Sequence, residues 1–181
     1  MEWDNTLTHW LNSFSGQFAA IDSLMIVITK IGPLLMVVWI ALRWFAKQNR
    51  IHERHVAIQC GLATALGLGI NQLILIFVHR VRPYDIGLTH LIIEKSQDFS
   101  FPSDHATVVF AIVSLLFVQR QKWAKSALAF AMLVCISRVY VGTHYVTDVI
   151  GGAVTGLAGV LVLHFLYRYL NPVTSRLIKV L

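Results

Sequence analysis

The sequence predicts an all-α integral membrane protein, a helical bundle of about five transmembrane helices with a further helix lying on the bilayer surface ahead of them. Three observations carry this. Hydrophobic residues make up 56% of the 181 positions and charged residues only 13%, and the mean hydropathy is +0.66. The apolar residues gather into five separated runs, near 22–44, 56–79, 103–119, 124–141 and 147–168. Each run is close to the ~20 residues that a helix needs to cross the hydrocarbon, where the backbone must satisfy its own hydrogen bonds. Such a composition excludes a water-soluble globule, and the length fits a single domain over 1–181.

The elements follow in chain order. Residues 3–18 set Trp3, Leu7, Trp10, Leu11, Phe14 and Phe18 at helical spacing, with Asp4, Asn5, His9 and Asn12 between them. That pattern is an interfacial amphipathic helix, assigned to 1–20. Glu2 and Asp4 stand where a signal peptide carries basic residues, and no small-residue cleavage site follows, so the first span is expected to stay in the mature protein. The bundle occupies 21–170 and a cytoplasmic tail 171–181. Its third run is the shortest and opens at Ser103. In the fifth, "GAVTG" (152–156) is a small-xxx-small pattern for close helix contact, and Asn71 and Gln72 in the second are read as interhelical hydrogen-bond partners. Cys60 and Cys135 each lie inside an apolar run, where packing is their expected role.

Charge orients the bundle. Arg43, Lys47, Arg50, Arg54, Arg120, Lys122, Lys125, Arg168, Arg176 and Lys179 fall on one side with a single acid, Glu53, which marks that side as cytoplasmic. The opposite side holds the other eight acids with Arg80, Arg82, Lys95 and Arg138. A net charge of +6 distributed in this way is a topology signal and not a nucleic-acid footprint. The loop 80–102 and the turn 141–147 therefore open outside, and the C-terminus lies inside.

Three polar clusters share that outer face: "RVRPY" (80–84), "PSDH" (102–105) and "SRVYVGTHYVTD" (137–148). Arg82 and Arg138 offer planar forks that match phosphate oxygens, and Ser103 opens a helix whose free amides suit an anion. His144 and Asp148 are four apart, a spacing that lets the carboxylate hold the imidazole tautomer, and His105 arrives from another helix to move a proton. Taken singly, Ser103 and Asp104 cap a helix, the arginines snorkel to headgroups, and His144 with Asp148 forms a structural hydrogen bond. Their joint occurrence on one face favours a phosphate site with a histidine nucleophile. His9, His52, His55, His90 and His164 are read as interface, loop or packing residues.

These residues resemble the type-2 phosphatidic acid phosphatase (PAP2) superfamily, whose motifs are K-x6-R-P, P-S-G-H and S-R-x5-H-x3-D. The third is matched by Ser137, Arg138, His144 and Asp148, the second by Pro102, Ser103, Asp104 and His105, and the first only by Arg82 and Pro83. Leu75 occupies the place of the motif lysine, and Asp104 that of the glycine. The resemblance implies His144 as nucleophile, Asp148 as its orienting partner, His105 as proton donor, and Arg82, Ser103 and Arg138 as phosphate binders, with no metal and no cofactor. Arg80, His79, Lys95 and Lys30 are the cations available to replace the missing lysine, and Asp104 is expected to pair with a basic residue. "SFPSDH", a short chain and a reduced first motif are similar to the bacterial undecaprenyl-diphosphatase subgroup associated with bacitracin resistance. That likeness implies a polyprenyl diphosphate substrate in the inner membrane. The alternatives are another lipid phosphate, namely phosphatidylglycerol phosphate, phosphatidate or lipid A phosphate, and, in a different class, a lipid or anion transporter. Absence of paired repeats disfavours the transporter.

Overall fold

Helices account for every regular element of the computed structural model, which describes residues 2–180. They are α1 (Glu2–Asn12), α2 (Ala19–Leu42) with a 3-10 turn (Arg43–Phe45), α3 (Arg50–Leu75), α4 (Asp104–Val118), α5 (Ala124–Tyr140) and α6 (Val146–Val180). The five apolar runs thus become α2 to α6. Ala19–Phe45, Arg50–Leu75 and Val146–Tyr167 are long and apolar enough to cross a membrane. α4 has 15 residues and reaches only about 22 Å at ~1.5 Å per residue, against a hydrocarbon thickness of ~30 Å. It packs against α3, α5 and α6 and buries Ala106, Val109, Ile112, Val113 and Leu116, so protein surrounds much of it.

The expected tail is a continuation of helix. α6 runs on through Pro172 to Val180, and the carbonyl of Ile178 accepts a hydrogen bond from Arg54 Nη1 at 3.1 Å. The side chains of Arg168, Arg176 and Lys179, counted above among the cytoplasmic cations, lie outside the described residues.

α6 is the hub, packed along α3 and α4. Its small residues permit the approach: a Cβ on Gly152 would stand 2.3 Å from the Ser103 carbonyl oxygen, and one on Gly156 would stand 2.6 Å from that of Thr107. Neither position has room for a side chain. Some polar groups inside this contact are paired across helices, while Asn71 Oδ1 and Ser103 Oγ have no partner among the described residues. Asn71 Nδ2 donates to Thr107 Oγ1 at 2.8 Å, and Thr107 and Thr155 share a hydrogen bond of 2.9 Å. Asn71 is therefore the interhelical partner its position suggests, whereas Gln72 is exposed. Cys60 and Cys135 are buried, as packing residues should be.

α1 is amphipathic in an inverted sense. Asp4, Thr8 and Asn12, on one face at helical spacing, are buried against the bundle, while Trp3, Leu7, Trp10 and Phe14 point outward and are 42–57% exposed. A face of that kind suits the interface between headgroups and acyl chains.

Candidate active site

The three polar clusters meet at one end of the bundle around a cavity of about 100 Å³, lined by Leu75, Arg82, Asp98, Asp104, His105, Arg138 and His144, among others. It has room for a phosphoryl group and not for a lipid tail. Of the larger clefts elsewhere, that among Leu35, Trp39 and Phe130 is apolar, and a polar one lies at the opposite end of the bundle, among Arg43, Glu53, Gln119 and Lys122.

Each cationic side chain is fixed before any ligand binds. The segment after α3 carries Arg82, which is 4% exposed. Its Nη2 donates to Asp98 Oδ1 at 2.6 Å, its Nε to the Asp98 carbonyl at 3.0 Å, and its Nη1 to the Thr143 carbonyl at 3.0 Å. Arg138, in the last turn of α5, donates from Nη1 to Thr29 Oγ1 at 2.8 Å. Its Nε is buried and has no protein partner. Because a buried donor without a partner costs stability, an anion reaching this cavity gains a donor that nothing else uses. Asp98, outside the helices, is partly buried, which opposes ionisation, but hydrogen bonds from Ser96 and Arg82 hold its carboxyl below the usual aspartate range.

His144 sits in the tight turn between α5 and α6. Gly142 makes that turn possible, with φ at +87° and its Cα so close to the His90 carbonyl that a Cβ would stand 2.5 Å from it. The His144 Nδ1–H donates to the carbonyl of Ser100 at 2.8 Å. A carbonyl only accepts, so this bond fixes the tautomer and leaves the Nε2 lone pair unprotonated, as the acceptor of a long hydrogen bond from Arg82 Nη1 that a phosphoryl group would replace. Nε2 lies 3.4 Å from Arg82 Nη1, on the cavity side. Burial, opposed by Asp148 and reinforced by Arg138 and Arg82, pushes the imidazole down to about 4. His105 faces the same cavity from the first turn of α4. The arrangement can place a neutral imidazole nitrogen against a phosphorus held by two guanidinium groups, with a second imidazole to move protons.

Several expectations are corrected by the geometry. Asp148 stands 3.5 Å from His144 Nδ1, too far to be its main acceptor. Instead its Oδ2 accepts from Ser100 Oγ at 2.5 Å and from the Tyr145 amide at 2.9 Å, so it holds the ring largely through Ser100. Ser103 does not line the cavity. It is fully buried, its amide donates to the Asp148 carbonyl at 3.0 Å, α6 packs onto its carbonyl at Gly152, and its Oγ has no partner among the described residues. Among the described residues Asp104 pairs with no cation. Arg82 is taken by Asp98, and Asp104 Oδ1 accepts from Asn71 Nδ2 at 2.6 Å.

The cations proposed to replace the missing lysine are likewise engaged away from the cavity lining. Lys30 pairs with Glu94 at 2.9 Å, Lys95 with Asp85 at 3.3 Å, and Arg80 with Asp4 and Asp148. His79 is the exception in place, its ring tilted against that of Phe99, a lining residue, with centroids 4.6 Å apart. Leu75 itself lines the cavity, so the wall at that place is apolar. His9, His52 and His55 bond to Leu88, Gln121 and Tyr167, away from the cavity.

Sequence reasoning missed Ser100, Asp98 and the structural part played by Asp4. Ser100 acts through its backbone carbonyl, which no residue pattern announces. Asp4 was discoverable, since its spacing with Thr8 and Asn12 marks one polar face of α1.

A family model described as the PAP2 superfamily matches residues 56–172. The chain belongs to the PAP2 superfamily. It is 30% identical over 147 residues to the undecaprenyl-diphosphatase BcrC of Bacillus subtilis, covering 81% of this chain and 75% of that protein. It is 31% identical over 146 residues to an undecaprenyl-diphosphatase of Sulfolobus acidocaldarius, covering 77% and 68%. Among solved structures, the PAP2-type phosphatidylglycerolphosphate phosphatase of Bacillus subtilis superposes with a TM-score of 0.65 at 25% identity, over 93% of this chain and 86% of that one. The protein is thus a membrane-embedded PAP2 lipid phosphatase. Leu75 and Asp104, the two positions that depart from the motifs in the sequence, both line its cavity.

Proposed function

We propose that this PAP2 phosphatase hydrolyses undecaprenyl diphosphate to undecaprenyl phosphate and inorganic phosphate, at the outer face of a bacterial cytoplasmic membrane and without a metal ion. The observation that carries the reading is the convergence of His144 Nε2, Arg82, Arg138 and His105 on one cavity of phosphoryl size. Similarity to undecaprenyl-diphosphatases along most of the chain supports the choice of a polyprenyl diphosphate. The polyprenyl chain stays in hydrocarbon while the diphosphate reaches the cavity.

His144 Nε2 attacks the terminal phosphorus in line, forming an N–P bond as the bridging P–O bond breaks. Lipid monophosphate leaves, a good leaving group that asks little of His105. Charge on the equatorial oxygens is met by Arg82 and Arg138. Water then attacks the phosphohistidine, His105 accepts its proton, the N–P bond breaks, and inorganic phosphate departs. The Ser100 carbonyl and the nearby Asp148 carboxylate stabilise the positive ring in the intermediate.

Phosphate release by the purified protein from undecaprenyl diphosphate, phosphatidate and phosphatidylglycerol phosphate tests the assignment, and a clear preference for the first is expected. Preference for phosphatidylglycerol phosphate would favour the second reading, which the superposed phosphatase structure supports. His144→Ala should abolish turnover with every substrate, and EDTA should leave the native rate intact. Loss of activity in EDTA with recovery on adding Mg²⁺ would replace this scheme by a metal-dependent one.

A further inference from the structure

Behind His144, on the side away from the cavity, Asp148 is held by a chain of charged contacts that ends in α1. Arg80 Nη1 donates to Asp148 Oδ1 at 2.6 Å and to Thr147 Oγ1 at 2.6 Å, while its Nη2 donates to Asp4 Oδ2 at 2.7 Å. The guanidinium also lies over the Tyr145 ring, 3.6 Å from its centroid. Asp4, only 1% exposed, accepts from the Thr147 amide at 3.0 Å and from Thr147 Oγ1 at 2.6 Å. Thr8 Oγ1 accepts from the Val146 amide at 3.1 Å. The first amides of α6 are therefore capped from a different helix, in place of the local cap that a helix start ordinarily uses.

Arg80 reaches His144 by a second route. Its carbonyl accepts from the Ser100 amide at 2.8 Å, and Ser100 supplies both the carbonyl that holds His144 Nδ1 and the hydroxyl that holds Asp148. Both supports of the imidazole thus end on one residue, and that residue is clamped by Asp4. A buried ion pair is weak evidence for stability on its own. Here its position, directly behind the reactive ring, gives it a specific consequence for orientation.

We propose that Asp4 and Arg80 are positioning residues for phosphoryl transfer: α1 caps α6 in trans and, through Arg80, fixes Asp148 and Ser100 and hence the ring of His144. The proposal rests on His144 being the nucleophile. It separates α1 from a passive anchor, because a helix lying on the membrane would then carry part of the support for the reacting atoms.

The test compares Arg80→Gln, Arg80→Lys and Asp4→Asn in the purified full chain, with undecaprenyl diphosphate as substrate and rates expressed per folded molecule. Arg80→Gln should lower kcat by roughly 10- to 100-fold, the usual cost of a small displacement of a reacting group. KM should change far less, since the cavity arginines are untouched. Arg80→Lys should recover part of the loss by keeping one cationic donor. The pH profile gives the readout that a merely structural role would not move. The charged and titratable groups around His144 are Arg82 and Asp98 from the segment after α3, Asp104 and His105 from α4, Arg138 from α5 and Asp148 from α6. Removing Arg80 leaves Asp148 uncompensated and favours the imidazolium, so the acid limb of kcat/KM moves to higher pH. Asp4→Asn removes a competing anion from Arg80 and moves the limb to lower pH.

Variants with native kcat and an unmoved limb, alongside an inactive His144→Ala, would overturn the positioning role and leave the nucleophile intact. Loss of folded protein alone, with native kcat and limb in what remains, overturns it equally. If Arg80→Gln does not fold, Arg80→Lys and Asp4→Asn carry the comparison. Near-native turnover in His144→Ala would instead remove the reading beneath the proposal.

Discussion

His144 exposes one reactive nitrogen, because Nδ1 is committed to the Ser100 carbonyl and burial beside two arginines holds the ring neutral down to about pH 4. The sign of the pH effect follows. A nucleophile whose charged form is disfavoured stays competent as pH falls through the ordinary imidazole range and loses activity only when it protonates. The enzyme's contribution to the acid limb of kcat/KM should therefore lie well below the value of a free imidazole, and a limb assigned to His144 at the ordinary value would contradict the burial argument. Asp104 works in the opposite sense to the arginines, an anion facing an anionic ligand. Asp104→Gly should lower KM roughly 3- to 10-fold, the effect of about 1 kcal/mol of relieved repulsion, with kcat little changed in steady-state assays. At this scale Arg82, Arg138, His105 and His144 were legible because each carries its chemistry in its side chain at a motif spacing. The acceptor on Ser100 and the Asn71 partner of Asp104 were not, since both depend on which helix ends come together.

Helix contacts set where those residues stand. Gly152 and Gly156 bring the α6 backbone against the carbonyls of Ser103 and Thr107. Alanine at either position must push the helices apart, at a cost of about 1–3 kcal/mol for overpacking, which thermal unfolding in detergent should register as a lower midpoint. Gly152→Ala should also reduce turnover, because Ser103 is bonded through its amide to the Asp148 carbonyl. Gly156→Ala, one turn further from the cavity, should affect stability more than rate. The pattern "GAVTG" made this contact legible, and five apolar runs made the helices legible. Their ends were less so. α4, Asp104–Val118, keeps close to its run and to its start at Ser103, but α3 begins at Arg50, ahead of its run, and α6 continues past the expected boundary, where Ile178 meets Arg54.

The whole molecule has charge sorted between its two ends, and that sorting predicts its orientation. Cysteine introduced as His90→Cys, on the face that carries the cavity, should react with an impermeant maleimide on intact spheroplasts, whereas Lys47→Cys should react only after lysis. The native Cys60 and Cys135 are buried and do not compete. Reversed labelling would place the cavity in the cytoplasm and remove the outer-face assignment. The cap that α1 supplies has a further consequence, in time. Asp4 and Thr147 are 143 positions apart, so this cap can form only after almost all of the described chain has been made. Until α6 is seated, Asp148 lacks its partner on Arg80, and on the proposed scheme a partly inserted chain is expected to be inactive on the lipids around it.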